Sequence, residues 1–284
     1  MKVNKDAQRT YETVMARLRN YIANPWLAEM PPYQVIPHIY YVGNQYVGSY
    51  LLDTQQGLTL IDVALQETAY LLFESIRKLG FNPKEIRRIL ISHGHVDHCG
   101  AARIVQEYSG CEIWFPPDDS FFLTKRRDLI LEEAHVPEFT VTNIYDYHTP
   151  MDLGNMQIMP VHTPGHTPGC TSFFITTAEG EKTILGMHGG LGLNGLSKAE
   201  LAQNGLPPTL QQSYLDSLKE LADAPVDIVI PSHLSHFNGD YMEMVRRNTD
   251  GSGDSLRIPG AWKRLMEDRI QQIESLIQKD NELS

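Results

Sequence analysis

The chain has 284 residues, 42% of them hydrophobic, enough for a large buried core in one domain or two small ones. It carries 24 basic and 35 acidic residues, a formal charge of −11, so a nucleic-acid partner is not expected: binding a phosphate backbone rests on Lys and Arg neutralising it. No run approaches the roughly 20 apolar residues that span a bilayer, so no membrane association is expected either. The opening "MKVNKDAQRTYETVMARLRN" has no apolar stretch of the secretory type, and Cys99, Cys111 and Cys170 follow no disulfide-framework spacing. Both features fit a cytoplasmic protein with reduced thiols.

Residues 4–23 have the periodicity of an amphipathic helix, closed by "NPW" at 24–26. Three β-rich runs follow at 38–43, 46–54 and 57–65, with Gly and Asn at the joints. Helical spacing over 66–80 ends on Gly80, and "RRILIS" at 87–92 is a buried strand. A helix over 100–110 again ends on glycine and leads into a strand at 111–116. A helical stretch is expected near 118–134, then strands at 156–163, 170–177 and 182–187. Residues 209–225 read as a helix feeding a strand at 226–232, and the last thirty residues are helical and polar. Strands alternating with helices, without repeats or low-complexity linkers, make a single mixed α/β domain the economical reading.

The densest chemistry lies in "ISHGHVDHCG" (91–100), between the strand at 87–92 and the next helix. Histidine is 11 of 284 residues, so three within six positions stand far above background. In extended chain alternate side chains share a face, which aims His93 and His95 at one point. Asp97 and His98 come where the chain turns and reach a neighbouring point. Imidazoles with a carboxylate suit a borderline-soft divalent metal such as zinc. Other histidines also stand where strands end: His162 and His166 in "MPVHTPGHTPGC", His188 in "ILGMHGG" and His233 in "IVIPSHLSH".

These motifs resemble the metallo-β-lactamase superfamily. "HGHVDH" (93–98) matches its His-x-His-x-Asp-His signature, "HTPGHTPG" (162–169) its second motif, and "PSH" (231–233) its last ligand histidine. The resemblance covers about residues 35–240, with helical extensions at both ends of a single domain over 1–284. It implies an αββα sandwich of two mixed sheets flanked by helices, with a metal site along one edge. It further implies two zinc ions, the first held by His93, His95 and His166 and the second by Asp97, His98 and His233. A water between two such ions loses its proton near neutral pH and attacks a carbonyl or phosphoryl centre. Asp97 would serve as ligand and as the catalytic group that orients the nucleophile or shuttles its proton.

Most of the superfamily has a bridging aspartate where this chain has His188, a departure similar to the third subclass of metallo-β-lactamases. For His188 three roles stay open: metal ligand, pocket group, or a hydrogen-bond partner behind the ligands. Asp62 in "LID" stands where relatives carry an aspartate that orients a ligand histidine, though a plain turn residue fits as well. His38, His135 and His148 lack any paired ligand pattern, His162 is a turn or supporting residue, and His236 is a candidate for the pocket mouth. Cys99 is expected to pack. The Gly-rich 188–208, with Lys198 as its one basic group, and the 117–150 segment are candidate pocket walls.

The resulting expectation is a zinc-dependent hydrolase of a small-molecule amide, lactam, lactone or ester. The alternatives are an iron-dependent redox protein of the same fold, similar to a sulfur dioxygenase, or a phosphodiesterase.

Overall fold

Alternating apolar residues in the first third of the chain build a β-meander that continues into parallel strands. The computed structural model describes residues 5–178, 180, 182–237 and 241–283. Helix α1 (Lys5–Ala23) precedes β1 (Tyr33–Ile36), β2 (Ile39–Tyr41), β3 (Tyr50–Thr54) and β4 (Gly57–Ile61), each antiparallel to the last. The chain then crosses over through α2 (Ala69–Lys78) to β5 (Ile86–Leu90), which lies parallel to β4. A short α3 (Val96–Cys99) and α4 (Ala102–Ser109) return it to β6 (Glu112–Phe115), parallel to β5, and β7 (Asn143–Ile144) closes that sheet. The order β1-β2-β3-β4-β5-β6-β7 is thus antiparallel on one side of β4 and parallel on the other.

The second sheet has the order β12-β11-β10-β9-β8. It comprises β8 (Met151–Asp152), β9 (Met156–His162), β10 (Thr171–Thr177), β11 (Ile184–Met187) and β12 (Ile228–Val229). Helices α5 (Lys198–Gln203) and α6 (Leu210–Leu221) form the crossover from β11 to its parallel neighbour β12. Pro160, with no amide to donate, sits on β9 beyond the end of its ladder with β8. After β12 come α7 (Tyr241–Arg247) and α8 (Ala261–Leu283).

Three buried clusters define four layers. Leu52, Ile61 and Leu90 of the first sheet meet Ile158, Phe173, Ile175 and Leu185 of the second. Leu60 and Ile89 face outward against Leu72, Ile76 and Val105 of α2 and α4, with Met15 and Leu18 of α1 in the same cluster. Tyr214 and Leu218 of α6 pack with Trp262, Met266 and Ile273 of α8 over the second sheet. Full burial of each large side chain supplies roughly 1.5–3 kcal/mol, so both terminal helices are tied firmly to the sandwich. The αββα architecture is therefore present as expected.

Several boundaries differ from the sequence reading. The expected helix near 118–134 is three 3-10 segments, Pro117–Leu123, Arg127–Ile130 and Glu133–His135. Pro116–Pro117 starts it, and Leu131 and Glu132 break it with positive φ of 65° and 49°. The strand expected from residue 46 begins at Tyr50, because the Asn44 side chain accepts from the amides of Tyr46 and Val47 and holds a turn there. Residues 4, 179, 181, 238–240 and 284 of the expected helices and core lie outside the described residues.

Candidate metal centre

Ligand-bearing loops gather at the carboxyl end of β5, the edge where open α/β sheets place their sites. The Ile91 amide still donates to Trp114 O, and Thr171 N donates to Ser92 O, stitching the loop to both sheets. Residues 92–95 form a bend that ends on an extended His95 (φ −80°, ψ 152°), and the amides of His98 and Cys99 then donate to His95 O to begin α3. That switch from strand to helix turns His93 and His95 toward one point and Asp97 and His98 toward the next.

The second loop, between β9 and β10, delivers His166, and the loop after β12 delivers His233. Two groups of potential ligand atoms result: His93, His95 and His166, and Asp97, His98 and His233. Within each group the atoms all lie within 4.8 Å of one another. His95 Nδ1 lies 3.1 Å from His166 Nε2, and His98 Nε2 lies 3.3 Å from His233 Nε2. Asp97 Oδ2 is 3.3 Å from His233 Nε2. All six residues named from the motifs are thus brought together.

The outer nitrogens of the rings explain why the inner ones face each other. His98 Nδ1 donates to Asp62 Oδ2 at 2.7 Å, His233 Nδ1 to Tyr46 O at 2.6 Å, and His166 Nδ1 to Gly192 O at 2.8 Å. Each acceptor forces the proton onto Nδ1 and leaves a lone pair on Nε2. His93 Nε2 is buried and has no hydrogen-bond partner in the protein. Lone pairs converging without protons between them repel, unless a cation lies among them. The donor set therefore fits divalent metal ions bound by nitrogen and oxygen.

Electrostatics agree with that fit. Burial, reinforced by the neighbouring imidazoles, pushes His93 and His95 well below the ordinary histidine value. His166 is lowered to about 4 by burial and then by His98. Burial alone would raise Asp97, but His98, His233 and His95 outweigh it and hold the carboxyl well below the usual carboxylate range. These groups are ready ligands at neutral pH.

Asp62 is the aspartate behind the ligands. Fully buried, it accepts from Ser92 N and Ser92 Oγ, both at 2.7 Å, as well as from His98. Its φ of 53° turns the chain out of β4 so that the carboxylate faces α3. Asp119, a residue the sequence reading passed over, has a comparable part. Its Oδ2 accepts from Gly94 N at 2.9 Å and Thr167 Oγ1 at 2.8 Å, and its Oδ1 from Gly169 N at 2.7 Å. One buried carboxylate thereby clamps the loop of His93 and His95 to the loop of His166. Burial pushes it up to about 6, against the pull of those three donors. The available signal was Pro116–Pro117, which fixes a turn directly after β6.

Other histidines lie outside the two groups. His38 lies beside Asp53, His135 beside Glu67, and His162 donates to Pro168 O while stacking on Tyr147. Cys99 is buried and packs. Phe122 lies against Gly94, where an added Cβ would come within 2.9 Å of its ring, so the 113–123 aromatics serve as core. His188 is buried near Tyr214, and its Nε2 has no partner. It belongs to neither group among the described residues. His188→Gln is expected to leave metal content unchanged by elemental analysis.

That substitution should also alter acid stability. Burial, then His166 and Arg269, lower His188 to about 3. The folded value lies below the unfolded 6.5, so the unfolded chain binds the extra proton. Stability is complete above about pH 6.5 and falls toward pH 3, by up to about 1.4 kcal/mol per pH unit for this group. Urea midpoints of chelator-treated protein should therefore fall less steeply with acid in His188→Gln; parallel curves would reject this account.

The two groups open into a cavity of about 100 Å³. Its walls include Val14, Arg17 and Leu18 of α1, the 190–194 part of the Gly-rich loop, and His236. Gly190 packs on His166, where a Cβ would come within 2.6 Å of the ring. Lys198 points elsewhere, its Nζ donating to Asn281 Oδ1. Leu131 is the wall residue from the 117–150 segment.

The same fold recurs in known proteins. Residues 42–179 match the family model described as the metallo-beta-lactamase superfamily. A solved metallo-beta-lactamase of Cronobacter sakazakii, with a HARLDQ motif, superposes with a TM-score of 0.78 at 27% identity, over 89% of this chain and 99% of that one. The chain belongs to the metallo-beta-lactamase superfamily. Among curated relatives, the uncharacterized protein YobT of Bacillus subtilis is 30% identical over 46% of this chain. The hydroxyacylglutathione hydrolase GloC of Haemophilus influenzae is 30% identical over 48% of it. The aligned stretches span 57% and 62% of those two proteins. No helix among the described residues is long and apolar enough to cross a membrane.

Proposed function

We propose that this superfamily member is a dinuclear zinc-dependent hydrolase of a small-molecule amide, lactam, lactone or ester. The observation that carries the reading is the pair of adjacent three-residue ligand groups, each with at least one ring held from behind. His93, His95 and His166 would hold one ion, and Asp97, His98 and His233 the other. Bound zinc supplies Lewis acidity and makes water nucleophilic near neutral pH.

The chain's own residues do the rest. Asp62, Gly192 O and Tyr46 O fix three rings, so little reorganisation is needed as charge develops. Asp97 reaches the cavity, and its carboxylate is the group placed to orient the nucleophile and take its proton. Helix α1 and the 190–194 loop narrow the approach and limit bulk water. A related hydrolase and a lactamase of similar fold support acyl centres as substrates.

Elemental analysis of protein purified without added metal tests the proposal first. About two zinc ions per chain, together with turnover in a screen of lactams, lactones and esters, is the expected result. Iron with oxygen consumption on a thiol-derived substrate would replace this reading with redox chemistry. Turnover of phosphodiesters alone would make it a phosphodiesterase.

A further inference from the structure

Beyond the metal groups a second cavity, of about 360 Å³, runs between α1 and α8. It shares Val14, Gly192, Asn194 and His236 with the metal-lined cavity, so the two form one groove. On its wall stands Arg269 of α8. Its Nη1 donates to Gln272 Oε1 at 2.9 Å, while its Nε is buried without a partner. Acidic residues outnumber basic ones by 35 to 24, and Arg19, Arg103, Arg126, Arg246, Arg247 and Arg257 each have a carboxylate partner. Arg269 has none among the described residues. His236 Nδ1, at the junction of the two cavities, is likewise buried and unpartnered.

A part-buried guanidinium lacking both a counter-ion and a full set of acceptors costs stability. Its position is explained if an anion completes it. A guanidinium offers parallel N–H donors that match a carboxylate in two-pronged fashion. Val14, Gly192, Asn194 and His236 line both cavities and so connect that guanidinium to the metal groups.

We propose that Arg269 binds a carboxylate on the substrate, making the preferred substrates small acyl compounds with a free acid remote from the bond that is cleaved. The substrate part of this inference rests on the hydrolase reading; the anion site does not. Arg269 is a specificity residue here, and His236 lines the path between the two ends.

The test compares mono-4-nitrophenyl glutarate with its neutral counterpart 4-nitrophenyl butyrate on the zinc-loaded protein. Arg269→Ala should raise KM for the glutarate ester about tenfold, equivalent to about 1.4 kcal/mol, and leave that for the butyrate within about twofold. Arg269→Lys should recover part of the loss, since it keeps charge without the fork. In parallel, calorimetric titration with glutarate should show about tenfold weaker binding to Arg269→Ala. Direct zinc–glutarate contact is common to both proteins and cancels. Equal effects on both esters, or no effect on either the ester or glutarate binding, overturns the proposal. Tighter binding of inorganic phosphate than of glutarate through Arg269 overturns the carboxylate assignment. If neither ester is cleaved but glutarate binding depends on Arg269, the anion site stands and the hydrolase reading falls.

Discussion

Asp97→Ala is expected to lower turnover by about 10²–10⁴-fold and to remove about one metal ion per chain. Two functions disappear together in this variant: an oxygen ligand of the second group and the carboxylate that handles the nucleophile's proton. The fold should persist, because Asp97 borders the cavity and its ionic contacts are to the ligand histidines His98 and His233, with the Tyr46 hydroxyl as its hydrogen-bond neighbour from the core cluster. Asp97→Asn, which keeps the shape and one weaker oxygen donor, separates the two functions. Zinc content near that of wild type with turnover still lost would locate the effect in proton handling. Equal turnover by Asp97→Ala and wild type on the same substrate would reject the two-metal mechanism.

Asp62→Ala should produce the largest loss of stability among single substitutions at the site, about 3–5 kcal/mol. The carboxylate is fully buried and takes three donors, Ser92 N, Ser92 Oγ and His98 Nδ1. Alanine strands all three without access to water, and also occupies a positive φ that disfavours it by roughly 1–2 kcal/mol. Asn tolerates that backbone better, so Asp62→Asn should lose less than Asp62→Ala. Without its acceptor, His98 is free to carry its proton on Nε2, and the second metal should bind more weakly. Denaturant midpoints and zinc stoichiometry of the two variants measure these effects. A loss of under 1 kcal/mol in Asp62→Ala would mean that another group supports His98.

Local sequence carried much of the site. The spacing in 93–98 brings its four polar side chains close together, because a short bend entering a helix has few conformations open to it. Gly and Pro in 162–169 mark a tight turn, and His233 follows a short apolar run, so the remaining histidines could be found at strand ends. The expected helix near 118–134 was less legible. Asp119 is drawn inward by three donors from two distant loops, and the backbone runs in 3-10 turns broken by positive φ at Leu131 and Glu132. His188 looked equivalent to the other strand-end histidines. Only its placement beside Tyr214, behind the His166 loop, separates it from the two ligand groups.

By itself the sequence determined the donor chemistry: four imidazole or carboxylate groups in six residues, two more histidines after strands, and the alternation of strands and helices that carries them. Those features depend on neighbours a few residues apart. Tertiary structure decided what surrounds them. Asp119 joins the loop of Gly94 to the loop of Thr167 and Gly169, which lie on either side of it in sequence, and Val14, Arg17, His236 and Arg269 come from opposite ends of the chain to wall one groove. The terminal helices read only as extensions, the first amphipathic and the last polar, because the apolar stripes that bury Leu18 and Met266 in the cores say nothing about which polar side chains line a cavity. That assignment follows from how the helices dock on the two sheets, a long-range packing outcome that no local pattern encodes.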